Sequence, residues 1–238
     1  MNDKTSSIYS SVRPLNNKII QIYSSAKTMF HYNKVDGVVQ EEKDKGSMKE
    51  AFLIFLASFI LSALILVGVN ALNIYIFEYE YNSLVADGVT MDDPGISWDM
   101  LGNIILAQFI FFVPFGILLS TASEGITFYL FRFTGGKGQF KQQYYLAALV
   151  SLSAIMASTV GFLLILPCIK IIVVFALAII SLYYALFVGV KAYQIIHDVT
   201  YLHAFVISVV MLIIRTGILT IIMKGVATIF GLPDVPGI

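Results

Sequence analysis

Charge is scarce in this sequence. Only 13% of its 238 residues are Asp, Glu, Lys or Arg, while 58% are hydrophobic and the mean hydropathy is +0.84. A soluble domain carries about a quarter charged residues, so half of the usual polar coat is absent. Cysteine is almost absent as well. Cys168 stands alone, which rules out an intrachain disulfide and a cysteine-based zinc cluster; beside Pro167 in an apolar hairpin it reads as a small buried hydrophobe. No cleavable signal peptide is expected, because the first apolar run begins near Ala51, after fifty mostly polar residues. Catalytic signatures are missing too: there is no His-Glu-x-x-His and no Gly-x-Ser-x-Gly. The histidines are His31, His197 and His203, and the last two stand six apart, off a common helical face. No enzyme activity, no metal and no cofactor are therefore expected. The net charge of zero points to no partner, and no nucleic-acid partner is expected.

What remains is a set of apolar runs long enough to cross a bilayer. They predict an all-α, polytopic integral membrane protein with a five-helix transmembrane bundle. Its spans run over about 51–77, 101–131, 146–166, 171–190 and 202–223, within a membrane domain of 47–231 followed by a short tail, 232–238. Ser47-Met48-Lys49-Glu50 has the form of a capping box at the start of the first span. That span is free of charge over 51–77 and about 40 Å long at 1.5 Å per residue. A loop at 78–100 holds Glu78, Glu80, Asp87, Asp92, Asp93 and Asp99 without a lysine or arginine, and Trp98 is placed to anchor an interface. It lacks the EF-hand spacing and reads as a solvated acidic loop. Pro114 and Gly116 predict a kink in the overlong second span. Pro167, Cys168, Ile169 and Lys170 join the third and fourth spans in a tight hairpin.

The polar stretch 1–46 is expected to be a cytoplasmic tail containing an amphipathic, interfacial helix. Ile19, Ile22, Tyr23, Ala26, Met29 and Phe30 recur at helical spacing, flanked by Lys18, Lys27 and Lys34. A partly disordered tail is the alternative. Lysine and arginine set the orientation. The first fifty residues hold 8, the 132–143 turn 3 and the 191–201 turn 1, whereas the opposite side holds only Lys170 and Lys224. The positive-inside bias places the N-terminus in the cytoplasm. The expected location is a multi-pass membrane protein, in the cell membrane if the source is prokaryotic.

Two charges interrupt the spans. Glu124 is the sole charge of the second and Arg215 of the fifth. A lone charge at mid-bilayer costs ~2.5–3.5 kcal/mol even on the lenient scale, and the two depths differ by only ~6 Å at 1.5 Å rise per residue. They are expected to face each other. Ser120, Thr121, Ser123 and Thr127 give Glu124 a polar face at helical spacing. Small residues recur every fourth position in the next two spans, as Ser153, Ala157 and Gly161, then Ser181, Ala185 and Gly189. Such ridges allow close helix approach, so they are expected to be the packing core of that hairpin, with homo-oligomerisation through the same faces as the alternative.

The cytoplasmic turn after the second span is basic and glycine-rich, comprising Arg132, Gly135, Gly136, Lys137, Gly138, Phe140 and Lys141. It is no phosphate loop, since no strand precedes it and glycine follows the lysine; it suits a tight turn beside anionic headgroups. Gly135-Gly136-Lys137-Gly138-Gln139-Phe140-Lys141, leading into Tyr145-Leu146-Ala147-Ala148-Leu149, resembles the Yip domain of Ypt/Rab-interacting membrane proteins. The likeness extends over about residues 25–225. In its eukaryotic branch the family implies binding of a small GTPase of the Rab type and a role in vesicle formation between endoplasmic reticulum and Golgi. Those members carry a longer N-terminus with an acidic, proline-containing motif, whereas the early proline here is Pro14, without acidic neighbours. The chain is more similar to the short prokaryotic members, for which a membrane location is implied. The expected function is a non-enzymatic scaffold or adaptor in membrane organisation or trafficking. Its expected contacts are the lipid bilayer and a protein partner at the tail and the 132–143 turn. The alternative is a small permease or channel subunit built on the Glu124–Arg215 centre.

Overall fold

The apolar runs grow into helices that outlast them. The computed structural model describes residues 17–29, 31–86, 102, 105, 109–110, 113–165 and 170–229, and all regular structure among these is helical. α1 covers 17–28; a 3₁₀ turn at Tyr32–Lys34 leads into α2, Val35–Glu42. The long helices are α3, Met48–Ala86, α4, Val113–Phe133, and α5, Phe140–Ile165. A continuous rod then comprises α6, Lys170–Tyr183, a π-helical turn, Tyr184–Val188, and α7, Gly189–His197, before α8, Tyr201–Ile229.

Several expected boundaries move, each because no breaker stood where the apolar run ended. α3 does not stop at 77 but continues through Glu78 to Ala86, a stretch without Gly or Pro, giving a rod roughly 58 Å long at 1.5 Å per residue. α5 begins six residues before 146, and α7 carries helix past 190 to His197. The expected 191–201 turn thus shrinks to Asp198–Thr200. It is made by Asp198 in the left-handed region, φ 54°, with Val199 N–H donating to the Gln194 carbonyl at 3.2 Å. Pro114 is the second residue of the described part of α4. Most of the half-span that would precede a kink there lies outside the described residues. The same holds for 87–100 with Trp98, Phe30, the hairpin at Pro167 and Cys168, residues 1–16 and the tail 232–238.

Four helical stretches among the described residues are long and apolar enough to cross a membrane: Met48–Ala86, Val113–Phe133, Ala178–His197 and Tyr201–Ile222. Large apolar side chains point outward on all of them, among them Leu64, Leu118, Ile179 and Ile213. The capping box at the start of α3 is closed both ways. Glu50 N–H donates to Ser47 Oγ at 3.2 Å, and Ser47 N–H to Glu50 Oε2 at 3.1 Å.

The boundary expected at residue 46 does not divide the packing. Met29, Val35, Val38 and Val39 share one hydrophobic core with Phe55 of α3, Tyr144 and Leu149 of α5 and Ile196 of α7. Phe55 and Tyr144 sit with ring centroids 5.1 Å apart, a contact worth about 0.5–1.5 kcal/mol beyond its area. The apolar stripe of α1 is split by this docking: Ala26 and Met29 are buried against the bundle, while Ile19 and Tyr23 remain exposed. Ser153 Oγ of α5 donates to the Ala26 carbonyl at 2.8 Å. Glu42, 2% exposed, accepts from Gln21, Ser25 and Tyr145 at 3.0, 2.9 and 3.3 Å. A second core joins Phe131 of α4 to Val190 of α7 and to Ala204, Ile207 and Met211 of α8.

Gly46 and Gly37 test this docking from opposite sides. A Cβ on Gly46 would run into the Tyr145 ring, whereas one on Gly37 in α2 meets nothing within 4 Å. Gly46→Ala should lower stability by ~1–3 kcal/mol, the usual range for overpacking, and Gly37→Ala should raise it by up to ~1 kcal/mol through helix propensity. Thermal melts in detergent measure both. Equal melting temperatures would mean that Tyr145 does not close on the turn before α3.

Candidate functional site

A stripe along α4 supplies the centre of the bundle. Val113, Ile117, Glu124, Thr127 and Phe131 are buried at helical spacing, so the one carboxylate in the helix is carried inward with its apolar neighbours. Burial leaves Glu124 at 3% exposure, and a carboxylate so placed needs protein donors. They arrive from three other helices. Arg215 Nη2 of α8 donates to Oε1 at 2.6 Å. Tyr193 of α7 approaches both carboxylate oxygens at 2.9 Å. Gln143 of α5 donates from Nε2 to Oε2 at 2.8 Å and to the Glu124 main-chain carbonyl at 2.9 Å.

The structure thus brings Glu124 and Arg215 together, and the rest of the anticipated polar face divides among several tasks. Ser123 Oγ accepts from Arg215 Nε. Thr127 donates back to the Ser123 carbonyl at 2.8 Å. Thr121 bonds to the Ile117 carbonyl and to the Tyr144 hydroxyl, both at 2.8 Å. Ser120 lines a cavity of about 230 Å³ beside the ion pair, which Tyr193 and Arg215 also border.

The glycine-rich turn is not joined to this pair by charge. It closes over the same network through a histidine. Because Gln143 spends its amide N–H groups on Glu124, its Oε1 accepts from His197 Nε2 at 2.8 Å, which fixes the proton on that nitrogen. His197 is fully buried, stacked on Phe131 with centroids 4.2 Å apart and planes at 9°, and its Nδ1 has no partner among the described residues. Over Nδ1 lie Gly136 and Gly138; a Cβ on them would come within 3.1 and 2.9 Å of it. Gly135 takes φ +97°, open to glycine at no cost. Lys137 N–H then caps the last carbonyl of α7, that of His197, at 2.9 Å, and its ammonium meets Asp198 at 2.8 Å. That bond and charge hold the exposed Asp198 carboxyl below its usual range and push Lys137 up. Arg132 and Lys141 are exposed, and Phe140 packs edge-on to Phe128 at 5.5 Å.

The described members of the small-residue ridges make contacts of several kinds. α5 and α6 do pack on each other, yet Ser153 points to the Ala26 carbonyl. Ala157 is partly buried against the main core, and Gly161 lies farther along α5. Ser181, Ala185 and Gly189 border the cavity instead. Small side chains give close approach and empty volume alike, and spacing does not distinguish the two.

Gln143, Tyr193 and His197 were not among the anticipated residues. All three fell in stretches read as polar turns, whereas helix extends through each. Tyr193 and His197, four apart, share one face of α7, and that spacing was the available signal.

The chain matches no family model, no curated protein and no solved structure. Its likeness to the Yip domain therefore rests on the sequence motif alone.

A double-mutant cycle measures whether the pair is coupled. Removing one member of a buried pair costs ~3–5 kcal/mol because the other is left uncompensated. Arg215, with its side chain 36% exposed, recovers some of that loss through water or lipid headgroups. Glu124→Gln and Arg215→Gln should each destabilise the protein in detergent melts, and the double substitution should cost clearly less than their sum. Strict additivity would show that the two side chains do not interact.

Proposed function

We propose that this chain is a non-enzymatic integral membrane protein of the Yip type, a scaffold or adaptor whose working surface is the cytoplasmic end of a five-span bundle. The four long apolar helices support the membrane placement, α5 covers the remaining run, and the 12-to-2 bias of lysine and arginine supports a cytoplasmic N-terminus.

One observation carries the adaptor reading. The three segments that the charge count assigns to the cytoplasm are tied into a single preformed surface. Gln142 donates to Asp44 at 2.7 Å, linking α5 to the turn before α3. Lys191 of α7 pairs with Asp36 of α2 at 2.9 Å and lies 4.5 Å over the Tyr32 ring. Lys137 joins the glycine turn to Asp198. A binding face assembled before its partner arrives loses little ordering entropy on association. Beside it, α1 presents Ile19, Ile20 and Tyr23 outward, each more than half exposed, with Lys18 and Lys27 on the same helix. That combination suits the headgroup layer of an anionic bilayer. The partner is a protein, and a small GTPase if the eukaryotic role of the family carries over.

Site-specific photo-crosslinking in intact membranes tests this. A crosslinker in place of Lys27 and one in place of Lys141 should each yield an adduct with the same protein, and one in place of Leu118 should yield lipid adducts only. Protein adducts from the Leu118 position alone, or different proteins from the two cytoplasmic positions, would overturn the reading. On a Cys168→Ser background, a cysteine in place of Lys141 should react with an impermeant reagent only after permeabilisation.

A further inference from the structure

The cavity beside the ion pair has walls that select a chemistry of their own. It occupies about 230 Å³ between α4, α5, the α6–α7 rod and α8, room for roughly seven waters at ~30 Å³ each. The space exists because alanine and glycine stand where larger side chains would fill it, at Ala147, Ala154, Ala185 and Gly189.

Its polar groups fall into two sets. The first is spent. Glu124 is ringed by three donors, Arg215 on Oε1, Gln143 on Oε2 and the one Tyr193 O–H between the two oxygens, which leaves little of the carboxylate open to a cation. Its charge is balanced by Arg215. A charged ligand of either sign would add an uncompensated charge inside a bilayer. The second set is unspent. The hydroxyls of Ser120, Ser151, Ser181 and Ser208 line the cavity and have no hydrogen-bond partner among the described residues. Ser208 is only 8% exposed, and a buried hydroxyl without a partner costs stability unless something else supplies one. Arg215, with two of its five N–H groups committed to Ser123 and Glu124, keeps further donors for an oxygen.

We propose that this cavity binds an uncharged polyhydroxyl group, of which the glycerol unit is the smallest example. Hydroxyls both give and accept, which matches a ring of serines that must be answered in both senses. Neutrality matches a site whose one anion and one cation cancel. Ser208 anchors the group at depth, Arg215 donates to one of its oxygens, and the exposed Ser181 and Ala185 mark the way in. The same chemistry is offered by a free polyol and by the headgroup of a neutral monoacylglycerol. The proposal rests on the membrane placement above and is independent of the adaptor surface.

The test uses the full-length protein, purified in detergent and stripped of lipid. Saturation-transfer difference NMR with erythritol probes the free polyol; native mass spectrometry with monoolein, against oleyl alcohol as a control without the polyol, probes the headgroup. A signal from erythritol, or selective retention of monoolein, supports the site and identifies its source. Ala185→Phe, which fills the entrance, should weaken the positive probe at least about tenfold, and the milder Ser208→Ala should weaken it several-fold with the melting temperature preserved. Absence of both signals from the wild-type protein would overturn the proposal. So would binding that survives both substitutions, or inorganic phosphate or choline binding better than erythritol.

Discussion

A carboxylate taken out of water must be answered by donors held in place, and Glu124 is answered by donors from α5, α7 and α8 at once. That requirement orients the bundle. It turns Tyr193 and His197 inward on α7, Arg215 inward on α8 and Gln143 inward at the start of α5. It adds a directional constraint to the apolar packing that these helices already make. A buried pair of this kind is a poor source of net stability compared with a hydrophobic replacement. What it supplies is register: a rotation of any one helix leaves a polar group unmet.

The network extends to the glycine turn by the same logic. Gln143 can satisfy Glu124 only by presenting its carbonyl elsewhere, and His197 takes that position. A fully buried imidazole then needs a thin roof, and Gly136 and Gly138 provide one: a Cβ would meet the Phe131 carbonyl at the first and Ile196 and the ring at the second. The lysine between them reaches outward to Asp198 while its N–H ends α7. The Gly-Gly-Lys-Gly stretch is thus shaped by what lies beneath it. Its composition suits a close backbone approach, and no phosphate is needed to account for it.

The all-helical architecture, the capping box at Ser47 and Glu50 and the meeting of Glu124 with Arg215 could be read from the residues. Each depends on a short-range pattern or on a cost too large to leave uncompensated. The ends of the helices could not be read that way. Hydropathy marks where an apolar run stops, but a helix stops where a breaker or cap appears. Glu78 to Ala86, Phe140 to Tyr145 and Lys191 to His197 therefore stayed helical beyond the runs. Those extensions hold Gln143, Tyr193 and His197, so the site was half visible: its charges were evident and its neutral partners were not. The docking of α1 and α2 was hidden for another reason. Glu42 and Ala26 find their partners in Tyr145 and Ser153, more than a hundred residues away, and no local window contains both.

That distance has a consequence in time. The bond from Ser153 to the Ala26 carbonyl spans 127 residues of sequence. At a synthesis rate of ~5–20 residues per second, α1 leaves the ribosome roughly 6–25 seconds before its partner helix exists. During that interval the face carrying Ala26 and Met29 is uncovered, along with Val35, Val38 and Val39. On the membrane placement proposed above, the nearest apolar phase in that interval is the bilayer that receives α3, and α1 would rest on its surface before docking on protein. One side of α1 keeps Ile19 and Tyr23 outward even when assembly is complete, so docking would release one face from the bilayer surface and leave the other on it.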